Sequence, residues 1–210
     1  KMTTVPKLPE APVSGQMLTL ERQKLFEWVY TSEPSLVIET GGGSEGGGST
    51  FCIAEALRKL KEEGKCKDSI FCTCDVNNYA ARNFYLSHPD YKDFMEFFTG
   101  TSENFISQLL AKNLVPDFIF FDGPEDPTIN IRDFLELDCA VESGCKFAMH
   151  DWETVPRIFD GGLSIKAEKV RPYLENLETW TIEEQLSGLE GQWPNENEPQ
   201  SVGLVYSRKL

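Results

Sequence analysis

Apolar residues recur along the chain in two alternating rhythms. Leu18, Leu20, Leu25, Phe26, Val29 and Tyr30 fall at helical spacing, which predicts an amphipathic helix over Leu18–Tyr30. Ser35–Glu39 is a short apolar run and reads as a buried strand. Helical periodicity then covers Thr50–Glu63 and stops at Gly64. The alternation continues with a strand over Ser69–Cys74 closed by Asp75, a helix over Asn78–Ser87 broken at His88-Pro89, and a strand over Phe94–Phe98 ending at Gly100. A helix over Ser102–Lys112, with Ser102 as cap, precedes the nearly all-apolar strand Asp117–Phe121. Further on lie a helix over Ile129–Cys139, a strand over Cys145–Met149 and a helix over Ser164–Leu177. Thr179–Glu183 and Val202–Ser207 are two late strands with no helix between them, so they should pair antiparallel.

Strands that alternate with helices predict an α/β fold: a Rossmann-like, doubly wound and mostly parallel sheet of seven strands, the last antiparallel, with helices on both faces. Residues 1–17 are proline-bearing and read as an extended arm, leaving 18–210 as a single domain. Phe118–Phe121 is core in this reading.

Between the first strand and the second helix lies the most unusual stretch, Glu39-Thr40-GGGSEGGG-Ser49-Thr50, with six glycines from Gly41 to Gly48. Such a run is also the composition of a flexible linker. Its flanks are strand and helix without a gap, so the glycines stand where a βα turn belongs. There, glycine lets backbone approach a ligand closely, and the helix after it presents free N–H groups. Strand-end acids are commonly turn formers. Glu39, Asp75, Asp122 and Asp151 all fall at the same end of successive strands, and parallel strands bring those ends to one rim.

Composition narrows the partners. A net charge of −14 and no basic cluster argue against nucleic acid. No apolar run is long enough for a membrane span, and the first residues lack an apolar signal core, so the expected location is cytoplasmic. Six scattered cysteines and two histidines fit reduced thiols better than a disulfide framework or a zinc site.

The ordered motifs resemble the class I S-adenosylmethionine-dependent methyltransferases, within them the small-molecule O-methyltransferase-like group. They are Glu39-Thr40-Gly41 to Ser49-Thr50, Asp75, Gly100-Thr101-Ser102, FIFFDG at 118–123, AMHDW at 148–152 and GLVYSRK at 203–209. The resemblance implies S-adenosylmethionine as cofactor, held by Glu39, Gly41, Gly43, Ser49, Thr50, Asp75, Val76, Gly100, Thr101, Ser102 and Asp122. It also implies a small-molecule acceptor. In some members the strand-four and strand-five acids hold a divalent cation, which points to Asp122, His150 and Asp151 as ligands of Mg²⁺ and as catalytic residues. Without metal, His150 is the candidate general base; helix and loop capping is the plainer role for Thr101, Ser102, His150 and Asp151. Trp152 is expected to wall the pocket and Trp180 and Trp193 to border its substrate side, with residues 188–200 as a lid and a homodimer as the partner that completes the site. Two departures stand out: the glycine loop is longer than the family's usual form, and Pro124-Glu125-Asp126 replaces a histidine common after Asp-Gly. Alternatives are a cyclase or isomerase on the same fold, a non-catalytic binding protein, or an NAD-dependent oxidoreductase using Gly41, Gly43, Gly46 and Asp75.

Overall fold

A computed structural model describes residues 5–13, 15, 17–153, 157–159, 162–176, 178–187 and 203–210. The predicted alternation is present. The order is α1 (Thr19–Ser32), β1 (Leu36–Thr40), α2 (Ser49–Glu62), β2 (Ile70–Asp75), α3 (Tyr79–Ser87), β3 (Met95–Thr99), α4 (Ser102–Ala111), β4 (Phe118–Phe121), α5 (Pro127–Ala140) and β5 (Lys146–His150). It continues with β6 (Arg157–Phe159), β7 (Gly162–Ser164), α6 (Val170–Asn176), β8 (Trp180–Leu186) and β9 (Leu204–Lys209).

Seven strands form one sheet in the order β3-β2-β1-β4-β5-β9-β8, while β6 and β7 form a separate hairpin. β9 pairs antiparallel with both β5 and β8, and the other pairings are parallel. This is the expected fold class. Two local expectations fail. The segment from Ser164 is not one helix: Ser164 ends β7, a turn follows, and α6 starts only at Val170. The cap of α4 is Thr101, whose hydroxyl accepts from Asn104 N, not Ser102.

Strand alternation divides the core. Val37, Phe71, Phe118 and Phe120 point to the face covered by α1, α2 and α3, against Phe26, Val29, Ile53, Leu57 and Tyr85. Ile38, Cys72, Ile119 and Phe121 point to the face covered by α4, α5 and α6, against Phe105, Ile106, Phe134 and Leu174. Trp152 and Trp180 belong to this second core rather than to a pocket wall. Trp180 donates from Nε1 to Asp138 Oδ1 at 2.9 Å.

The chain runs from β1 outward to β2 and β3, then returns to β4 on the other side of β1. A doubly wound sheet opens its crevice at such a reversal, outside the carboxyl ends of the strands. Here the glycine loop after β1 meets Asp122 after β4: a Cβ on Gly41 would overlap the Asp122 carbonyl. No helix among the described residues is long and apolar enough to cross a membrane.

Candidate active site

Two cavities meet at Gly41 and Asp122. One, of about 210 Å³, is lined by Gly15, Met17, the loop Gly41–Ser49 and Asp122. The other, of about 480 Å³, has Asp75, Val76, Gly100, Thr101, Ser102 and Ile129 among its walls. The glycine loop is held from both sides. Gly41 N and Gly42 N donate to Cys74 O, Ala81 N donates to Ser44 O, and the Tyr85 hydroxyl donates to Gly46 O at 2.6 Å. Gly41, Gly43 and Gly46 have φ of 84°, 74° and 69°, which L side chains rarely adopt. The N-terminal arm lies over the loop, with Gly15 packed against the Gly47–Gly48 backbone.

Asp75 ends β2 with its carboxylate oriented by backbone. Gly43 N donates to Oδ2 and Asn77 N to Oδ1, each at 2.9 Å. Each carboxylate oxygen keeps a second acceptor position. Val76 beside it is 72% exposed, an apolar side chain on the cavity wall. Asn78, missed in the sequence, fixes this corner: its Nδ2 donates to Phe98 O and its Oδ1 accepts from the Thr99 hydroxyl.

Glu39 lies one residue inside β1 and is fully buried. The sheet register sets Thr73 opposite it. The Thr50 and Thr73 hydroxyls both donate to Oε2 at 2.6 Å, while Oε1 has no hydrogen-bond partner among the described residues. Thr50 therefore serves Glu39 and the Gly42 carbonyl and does not line the cavity, whereas Ser49 does. Gly42 has no room for a side chain, since a Cβ would crowd Thr73, Thr50 and Glu39 together.

Burial pushes the Glu39 carboxyl up to about 7, against the opposing pull of the Ser49, Thr50 and Thr73 hydroxyls. The folded protein then holds a proton that the unfolded chain releases above its ordinary carboxylate range. Stability falls as pH rises from about 4.5 to about 7, by about 3 kcal/mol if this group acts alone. Glu39→Gln should flatten that fall, with denaturant midpoints at pH 5 and pH 8 as the measurement. An unchanged slope in the variant would remove Glu39 as its source.

Asp122, His150 and Asp151 come together, with donor atoms within 4.8 Å of one another. His150 is buried; its Nδ1 lies 3.3 Å from Asp122 Oδ1 and its Nε2 3.1 Å from Glu21 Oε2. Burial alone would lower its pKa, but the Asp122 and Asp151 charges and these hydrogen bonds raise it to about 10. As an imidazolium with both nitrogens facing carboxylates, His150 offers no base to a hydroxyl at neutral pH. For Asp122, burial opposes ionisation, yet Lys166 and His150 prevail and hold the carboxyl well below its usual range. Asp151 sits at φ 56° and is buried, rather than lining the crevice.

The sequence reading missed Glu21 and Lys166. Glu21 had a signal: it occupies the buried stripe of α1 with Leu25, Trp28 and Val29, where an acid needs a partner. Lys166 had none. Glu125 lines the larger cavity, while Asp126 caps α5 by accepting from Thr128 N.

A family model described as a methyltransferase domain matches residues 41–152, just over half of the chain and most of this site, with Gly15, Met17, Glu21, Glu39 and Lys166 outside it. The chain belongs to the methyltransferase family. The class I resemblance read from its motifs is thereby borne out. The methyltransferase matches no curated protein in sequence. Its fold is similar to that of an O-methyltransferase from Bacillus cereus in complex with SAH, at 16% identity and TM-score 0.67, covering 98% of this chain and 84% of that one. It is also similar to the O-methyltransferase TomG from Streptomyces achromogenes in complex with SAM, involved in tomaymycin synthesis, at 14% identity and TM-score 0.67, covering 92% and 81%. An rRNA methylase from Streptococcus thermophilus shares the fold at 16% identity and TM-score 0.61, covering 92% of this chain and 99% of that one.

Proposed function

We propose that this methyltransferase uses S-adenosylmethionine to methylate an oxygen of a small molecule. The observation that carries the cofactor reading is the oriented Asp75 carboxylate, with acceptor positions left over, on the wall of a cavity joined through Gly41 and Asp122 to the glycine loop. A vicinal ribose diol fits that acceptor pair. Val76 and Ile129 supply apolar surface for a purine, with Thr101 and Ser102 at its edge. Glu39 lies under the Gly42 backbone and lines neither cavity, so it supports the loop rather than touching the ligand. Bound there, the cofactor would supply a sulfonium-activated methyl group to the acceptor oxygen, whose proton would pass to water. The chain's own contribution is alignment and desolvation.

A net charge of −14 favours a small acceptor over RNA. Six free cysteines suit a reducing compartment such as the cytoplasm. Residues 18–210 act in this reading as one catalytic domain, with the arm over the cofactor loop. NAD is disfavoured because a dinucleotide sheet runs 3-2-1-4-5-6, whereas here antiparallel β9 stands between β5 and β8. Incubation with methyl-labelled S-adenosylmethionine and panels of phenols, carboxylic acids and amines tests the reaction. Label on oxygen is expected. Label only on amines, or only on added RNA, would overturn the acceptor class.

A further inference from the structure

Two of the three residues that the family resemblance offers to a divalent cation, Asp122 and Asp151, already hold a positive charge between them. Lys166 Nζ donates to Asp122 Oδ1 at 2.8 Å and to Asp151 Oδ2 at 2.8 Å. Its side chain is 3% exposed. A Mg²⁺ ion bridging the same carboxylates needs oxygens at about 2.1 Å, and an imidazole can join only through a free lone pair. Here the third candidate ligand, His150, has Nδ1 turned to Asp122 and Nε2 to Glu21, so both nitrogens are already engaged with carboxylates. A dication and an ammonium between the same two carboxylates would repel each other strongly in a buried site.

The lysine is also fixed from behind. The Lys166 carbonyl accepts from Asn130 Nδ2, which in turn donates to the Pro124 and Asp126 carbonyls. Ala167 and Val170 on either side of the turn are fully buried. The Lys166 backbone is thus tied to Asn130 in the first turns of α5, while its ammonium is held by Asp122 and Asp151. The trio does not fit a divalent metal.

We propose that the Lys166 ammonium takes the place of the divalent cation, so that this methyltransferase works without metal. Resting on the methyl-transfer reading of the site, the proposal also restricts the acceptor class: with no metal to chelate vicinal oxygens, a single hydroxyl suffices and a catechol-like diol gains nothing. Lys166 acts as a positioning residue that fixes Asp122 at the meeting point of the two cavities.

Mn²⁺ titration of the full chain, followed by the loss of its free-ion paramagnetic resonance signal, tests this without any acceptor. Wild type should leave Mn²⁺ free. Lys166→Ala should open a site at least about tenfold tighter than wild type. Lys166→Arg should keep it closed, and Lys166→Ala with Asp151→Asn should close it again. Wild-type binding that is lost in Asp122→Asn would overturn the proposal, as would a Lys166→Ala protein that is folded by circular dichroism and still takes up no Mn²⁺. If the alanine variant does not fold, Lys166→Met and the wild-type titration decide. S-adenosylmethionine titrated into the same wild-type sample keeps the two readings apart: its failure to bind would sink the methyltransferase chemistry while leaving the Mn²⁺ result to judge Lys166.

Discussion

Asp75→Ala is expected to weaken S-adenosylmethionine binding by at least about 100-fold. Two hydrogen bonds from a ribose diol to a carboxylate contribute about 1.5–3 kcal/mol each, and every 1.4 kcal/mol is tenfold in affinity. The carboxylate is already set in place by Gly43 N and Asn77 N, so little binding energy goes into ordering it. Asp75→Asn keeps one acceptor oxygen and should lose about tenfold. Stability should fall by only about 1 kcal/mol in either variant, because the two backbone donors lie near the surface and water replaces the lost acceptor. Calorimetric titration measures the affinities. Affinity in Asp75→Ala within threefold of wild type would mean that the ribose is held elsewhere.

Gly41→Val should cost the most stability of any single loop change. Gly41 has φ of 84°, and a Cβ there would overlap the Asp122 carbonyl and crowd Gly123 N. Both obstacles are backbone at the end of β4, so no side chain can turn aside. The strained φ costs about 1–2 kcal/mol and the overlap adds about 1–3 kcal/mol, an overall loss of roughly 3 kcal/mol. The same displacement would separate the two cavities' shared wall and abolish cofactor binding. Gly43→Ala is the control. Its φ of 74° is as unusual, but a Cβ there meets nothing within 4 Å. That variant should lose only about 1 kcal/mol. Urea midpoints for the two proteins give the comparison, and equal losses would show that the β1–β4 contact is not the reason for glycine at 41.

The parts of the site legible in the sequence are those written in local pattern. Four strands end beside acids, and the buried strand FIFF at Phe118–Phe121 followed by Asp122 places one wall of the crevice almost unaided. Asp75 stands on the cavity rim, as expected of a strand-end acid after the glycine-loop helix in a doubly wound sheet. Glu39 looks equivalent and is not. β1 extends one residue further, to Thr40, so Glu39 sits within the ladder beside Thr73 rather than on the rim.

What escaped the sequence depends on long-range contact. Glu21 meets His150 across 129 residues, and nothing near Lys166 announces that it reaches Asp122, 44 residues earlier. β7 takes only Ser164 from the expected helix, and a turn over residues 166–169 delays α6 to Val170. Thr101 rather than Ser102 caps α4, a choice between adjacent hydroxyls that only backbone geometry makes. The expected lid at 188–200, with Trp193, lies outside the described residues.

The central claim is that the joined cavities over the glycine loop hold S-adenosylmethionine. Calorimetric titration of the wild-type protein with S-adenosylmethionine, S-adenosylhomocysteine and NAD tests it most directly. Micromolar binding of the first two and none of NAD is expected. Binding of NAD alone, or of none of the three, would contradict it.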